Sequence, residues 1–139
     1  MDNTFVLQSE DFSLSLTFKV FESDIAYPSN TIISVSVSSV GFSASTSMDV
    51  DIKAISKFCD ALNKVYSTLK GNAKISEPFG NKQYIDFAGD GYGHILISGM
   101  LHSNGAYGFS QELKFENSID QTYFPVFLKK ITEYVKQYH

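Results

Sequence analysis

Residues 87–101 read "FAGDGYGHILISGML", with Gly89, Gly91 and Gly93 set around Asp90 just before an apolar run. Such a stretch is either a glycine-rich loop that holds a phosphate or a tight turn between two strands. A dinucleotide fingerprint needs a strand, a glycine turn and then a helix, because the pyrophosphate sits on the free N–H groups of the helix N-terminus. Here the glycines lead into "HILISGML" (94–101), a run that holds Gly99 and is bounded by Asn104-Gly105, a turn-forming pair. That run reads as a strand. A P-loop would need Gly-Lys-Ser or Gly-Lys-Thr opening a helix, and the chain has neither. Asp90-Gly91 is a favoured pair for reversing one strand into the next. The stretch therefore reads as a hairpin and draws the chain toward an antiparallel fold.

Strand signals fill the residues before it. "TFVLQS" (4–9) is short, and "FSLSLTFKV" (12–20) puts Phe12, Leu14, Leu16, Phe18 and Val20 on one face. Period two with one apolar face predicts a half-buried strand. "ESDIAYPSN" (22–30) is a loop. "TIISVSVSSV" (31–40) and "FSASTSMDV" (42–50), separated by Gly41, form a hairpin. Its apolar face carries Ile33, Val35, Val37, Phe42, Ala44, Thr46 and Met48, and the other face is serine. After the first helix, strands are expected at 73–77, 83–88, 93–101 and 106–116, the last two joined through Asn104-Gly105.

Two segments carry helical periodicity. In 51–72, Ile52, Ile55, Cys59, Leu62, Tyr66 and Leu69 step by three and four, widened by Phe58 and Val65. That is an amphipathic helix facing a core. Asp49 or Asp51 is its expected N-cap, and Gly71 its left-handed C′ residue. In 122–139, Phe124, Phe127, Leu128, Ile131, Val135 and Tyr138 make the second stripe. Thr122 is the expected N-cap, leaving Pro125 in the first turn. Each half is thus strands followed by a helix. The expected fold is a single α+β domain over 1–139, with antiparallel strands in two halves and two amphipathic helices packed on the sheet.

Composition narrows the function. The chain has 139 residues, 43% of them hydrophobic and 19% charged, a globular balance. A net charge of −4 argues against a nucleic-acid binder, which needs Lys and Arg on phosphates, and suits a basic protein partner. The single cysteine, Cys59, excludes an intrachain disulfide and any zinc site needing several thiolates. The N-terminus shows no basic head with an apolar h-region. No stretch approaches the roughly 20 apolar residues of a membrane span. The expectation is a cytoplasmic protein that does not engage a membrane.

The search for chemistry returns little. His94 and His102 lie on one predicted strand about 26 Å apart at roughly 3.3 Å per residue, too far to serve one bond or one metal. His139 is the last residue. Asp86, Asp90 and His94 are the one acid–histidine group close in sequence, where a carboxylate would orient His94 as a general base. Cys59 sits inside the apolar stripe as a small hydrophobe. No Gly-x-Ser-x-Gly elbow appears. No catalytic residue, metal site or cofactor is assigned. Tyr27, Tyr84, Tyr92 and Tyr107 lie in or near loops, where tyrosine serves as a partner anchor or packs at a sheet end.

Several of these stretches carry a resemblance. Gly41-Phe42 at the first hairpin, "LKGNA" (69–73), Gly93-His94-Ile95 with Gly99, and "FENSIDQTYF" (115–124) with its Asp-Gln-Thr-Tyr run resemble WapI-type immunity proteins and related small bacterial proteins found near polymorphic toxins. The resemblance implies a non-catalytic cytoplasmic protein that neutralises a toxin domain by occluding its active site, an acidic surface docking on a basic cleft. The contact residues expected on that reading are Asp86, Asp90 and Tyr92 at the hairpin end, with Asp24 and Tyr27 in the first long loop. Two other readings remain: a small-molecule binding module with a pocket between sheet and helices, and a hydrolase or nuclease using His94 or Asp90.

Overall fold

The structure is a computed structural model that describes residues 3–78 and 82–138. Eight strands and two helices follow in order. They are β1 (Thr4–Gln8), β2 (Phe12–Val20), β3 (Thr31–Ser39), β4 (Phe42–Val50), α1 (Ile52–Thr68), β5 (Asn72–Ser76), β6 (Tyr84–Gly89), β7 (His94–Asn104), β8 (Ser110–Asp120) and α2 (Pro125–Val135). The strands form two four-stranded antiparallel meanders, β1-β2-β3-β4 and β5-β6-β7-β8. Strands then helix, twice, is the α+β plan read from the sequence. Each half builds its own sheet.

Register follows alternation. Pairing Leu14 with Val37, Leu16 with Val35 and Phe18 with Ile33 puts the large apolar side chains of β2 and β3, Ile32 excepted, on one face. Ile95, Ile97 and Leu101 do the same on β7. These inner faces share one core with Ile55, Phe58 and Leu62 of α1 and Phe127 and Ile131 of α2. Phe87 sits at the centre, its ring centroid 5.8 Å from Phe58, 6.0 Å from Phe124 and 6.3 Å from Phe127. Each such side chain fully buried is worth about 1.5–3 kcal/mol. The space between sheet and helices is therefore filled by aromatic rings.

The two sheets are joined through side chains. Gln83 is buried. Its Nε2 donates to the Ser47 carbonyl at 2.8 Å and to Glu77 Oε1 at 3.4 Å, and its Oε1 accepts from the His102 amide at 3.1 Å. Thr46 Oγ1 donates to the His102 carbonyl at 3.2 Å, and Asn117 Nδ2 to Ser39 Oγ at 3.1 Å. A second buried amide, Asn30, accepts from the Ile52 amide at 2.8 Å and donates to the Tyr27 carbonyl at 2.9 Å. It ties loop 21–30 to the start of α1.

Several local expectations are corrected. The C-terminal turn of α1 closes at Leu69, left-handed at φ 57°, whose amide donates to Val65; Gly71, also left-handed, lies beyond it. Of the two candidate caps, Asp51 accepts from the Lys53 amide at 2.9 Å. Asp120, not Thr122, caps the chain ahead of α2: it accepts from the Thr122 amide and opens a short 3-10 turn, with Pro125 in the first turn of the helix as expected. The β7–β8 turn spans 105–109 with Gly108 left-handed, so β8 starts at Ser110 and not at 106. Phe42, placed by alternation on the apolar face, is 69% exposed, and Ala44 and Thr46 are half-buried. His139 lies outside the described residues.

The glycines of the opening stretch divide by task. Gly91 and Gly93 have φ of 82° and 96° and reverse the chain. Gly89 has an ordinary φ, but a Cβ there would overlap the Leu69 carbonyl and sit 2.7 Å from the Lys70 amide nitrogen. The β6 backbone lies directly on the end of α1, with the Gly91 amide donating to Leu69 at 2.7 Å. Gly89→Ala forces two backbones apart and is expected to cost about 3 kcal/mol, read as a lowered urea midpoint. An unchanged midpoint would show that the helix end yields freely.

Candidate functional site

The β6–β7 turn gathers three of the polar residues that the sequence singled out, Asp90, Tyr92 and His94. Asp90 Oδ1 accepts from the amides of Tyr92 at 2.7 Å and His94 at 3.1 Å, an Asx-type closure of the turn. Its Oδ2 lies 3.1 Å from His94 Nδ1. The Tyr92 amide is the main cause holding the Asp90 carboxyl below its ordinary value, with the His94 amide and ring adding to it. Across the strand pair, His94 faces Asp120. Asp120 is likewise held low, chiefly by the Thr122 amide it caps.

The expected orientation of His94 by a carboxylate is present, and Asp90 supplies it. Asp86 does not join that pair: it accepts from Asn72 Nδ2 at 2.9 Å, out on the sheet face. The His94 side chain is 51% exposed. Among the described residues, no group of three or more His, Cys, Asp and Glu is placed to hold a metal ion. Cys59 is buried in the α1–α2 contact with Sγ 3.3 Å from Thr132 Oγ1, and burial pushes its thiol up. A raised thiol is a poor nucleophile.

The register extends the turn into a surface. On the outward face of the second sheet, Lys74, Asp86, Ser98 and Glu116 stand side by side on β5, β6, β7 and β8. Leu96 is 39% exposed on the same face, and Tyr92 at its end is 87% exposed. Tyr84 is half-buried, with Lys74 Nζ 4.6 Å above its ring. Asp24 and Tyr27 are also exposed, but elsewhere. Asn30 holds their loop at the start of α1, whereas Gly91 bonds its end. At 1.5 Å per residue the 17-residue helix separates the two groups by about 25 Å.

Among the exposed apolar side chains that escaped the sequence reading are Val40 at 65% and Phe42 at 69%. Alternation assigns both to strands, and what betrays them is the turn itself. Ser39 pairs with Phe42, leaving Val40 and Gly41 as a two-residue loop with φ of 51° and 86°. Shallow cavities flank it, one of about 190 Å³ lined by Val40, Phe42, Lys114 and Glu116, another of about 300 Å³ lined by Glu10, Asp11 and Val40. A groove of about 340 Å³ lies outside the core between α1 and α2, lined by Tyr66, Leu128, Lys129 and Thr132. No helix among the described residues is long and apolar enough to cross a membrane.

The lowered Asp90 carboxyl has a pH consequence. A carboxylate depressed in the folded state contributes stability above its unfolded value and loses it as pH falls through the native one. Asp90→Ala is therefore expected to lower the thermal midpoint at about pH 5, by a gap that closes as the pH falls below the ordinary carboxyl value of 3.8. Thermal melts across that range check it, and a gap that widens on acidification would contradict the assignment.

No curated protein and no solved structure matches the chain. The family described as "Immunity protein WapI-like family" matches over residues 6–139, which takes in all four strands of each sheet and both helices. A match over nearly the whole chain leaves no element outside it, and the chain belongs to the WapI-like immunity protein family.

Proposed function

We propose that this chain is a non-catalytic cytoplasmic immunity protein that neutralises a toxin domain by covering its active site. Family membership over residues 6–139 is the observation that carries the reading. The net charge of −4 supports a basic partner, because complementary charge speeds encounter and disfavours wrong partners. The outward face of β5–β8 is the contact surface proposed, with Asp86 on it, Asp90 and Tyr92 at its end, and Asp24 and Tyr27 outside it. Tyr92 has the anatomy of an anchor: a large, nearly free ring beside acids, with a polar tip to pair once covered. The reading needs no cofactor and no nucleic acid.

The test is affinity capture of the tagged chain from its native cells at about 50 mM and 500 mM salt. Exposed charge contacts weaken as screening shortens their reach. The expected result is one stoichiometric basic protein that is toxic when produced alone and harmless with this chain. Asp86→Lys combined with Tyr92→Ala should lower its affinity at least about tenfold with an unchanged circular dichroism spectrum. Failure to recover such a protein from cells shown to make a candidate toxin overturns the proposal.

A further inference from the structure

Val40 is the residue whose identity the fold does not explain. A two-residue hairpin with positive φ at both positions favours Asn-Gly, because Asn tolerates the left-handed region. A β-branched residue there is a conformational outlier. Val40 adopts φ 51° and leaves 65% of itself in solvent, so it does not offset that strain by packing. Its neighbour Phe42 is 69% exposed. Strain held at an exposed apolar tip points to a role outside folding.

The surroundings say what would cover it. The Val40 amide donates to the Asp11 carbonyl at 3.0 Å, which sets the turn against the β1–β2 loop with exposed Glu10 and Asp11. On the other side lie Glu116 and Lys114 of β8. Glu112 lines the adjoining depression of about 200 Å³ along Ser43–Thr46. Three carboxylates, Glu10, Asp11 and Glu116, against one ammonium thus share cavities with the two apolar side chains, and Glu112 lies further along β8. Apolar centre and charged rim is interface anatomy, and the sign of the rim selects a basic surface. The patch is also continuous with the proposed contact face: Glu116 ends the row that starts at Lys74 and passes through Asp86.

The geometry points to the Val40-Gly41-Phe42 turn as the apolar anchor that seats on a basic toxin domain, with Glu10, Asp11 and Glu116 as its charged rim. The inference rests on the immunity reading and names the part of the surface that supplies affinity. Val40 trades fold stability for that contact.

The test places a photo-crosslinking phenylalanine analogue at position 42 and, as a control at a similarly exposed site, at position 27, in the full chain made in its native cells. The expected result is an adduct from position 42 to one basic protein that is toxic when made alone, at least about tenfold stronger than from position 27. In parallel, Val40→Asn should raise the thermal midpoint by about 3–6 °C while lowering the protection of cells against that toxin at least about tenfold. An adduct from position 27 alone overturns this anchor and leaves the immunity reading standing. An adduct between two copies of the chain overturns the basic partner. No adduct from position 42 in cells where affinity capture recovers the toxic protein overturns this anchor alone, and no toxic partner by either route overturns both. A Val40→Asn chain that is stabilised and protects as well as the parent overturns the role of Val40.

Discussion

Two meanders that never pair strand to strand are held at one relative position by a buried amide. Gln83 stands at the entry to β6 and reaches Ser47 of β4, Glu77 beside β5 and the backbone of β7. Its hydrogen bonds are directional, whereas the apolar contacts around it would tolerate sliding. An unsatisfied buried polar group costs about 1–3 kcal/mol, so any register that strands this amide is disfavoured by that much. Everything at the rim follows from the setting. It brings Thr46 to His102 and Ser39 to Asn117, which places the β3–β4 turn against β8. The acidic row and the apolar turn become neighbours only because the sheets cannot slip.

Local periodicity made most elements legible. Alternation from Phe12 to Val20 and the stepped apolar residues of 52–69 each have one physical solution, and both helices and all eight strands appear where those patterns run. What was not legible was set at a distance. The division into two sheets depends on which strands stay unpaired, and β4 carries no mark of being an edge. Phe42 alternates correctly but lies at the end of the sheet, beyond the residues that would cover it. Leu69 takes the left-handed position ahead of Gly71 because its carbonyl is needed by Gly91, a contact twenty-two residues away. Asp120 displaces Thr122 as a cap because β8 runs further than its turn residues implied.

The site was legible in part for the same reasons. Asp90, Tyr92 and His94 meet because they share one turn, and adjacency in sequence is enough to predict that. Asp86 points away from them for an equally local reason, since it bonds Asn72 across the β5–β6 pair. The distance between loop 21–30 and the glycine turn is a property of α1, which separates them along its length. Val40 was hidden by its chemistry: a valine that follows a run of alternating valines and serines reads as strand, and only the positive φ reveals a turn.

β8 is an edge strand of eleven residues, long enough to invite pairing with another chain. Its exposed Glu112, Lys114 and Glu116 put alternating charge along that edge. At Ser118 the backbone amide is already taken by Asn117 Oδ1 at 2.8 Å, so an incoming strand would find the ladder blocked there. The Asn117 side chain, by folding back on its own backbone, withholds that amide from strand addition and makes the longest exposed edge of the fold a poor template for another chain.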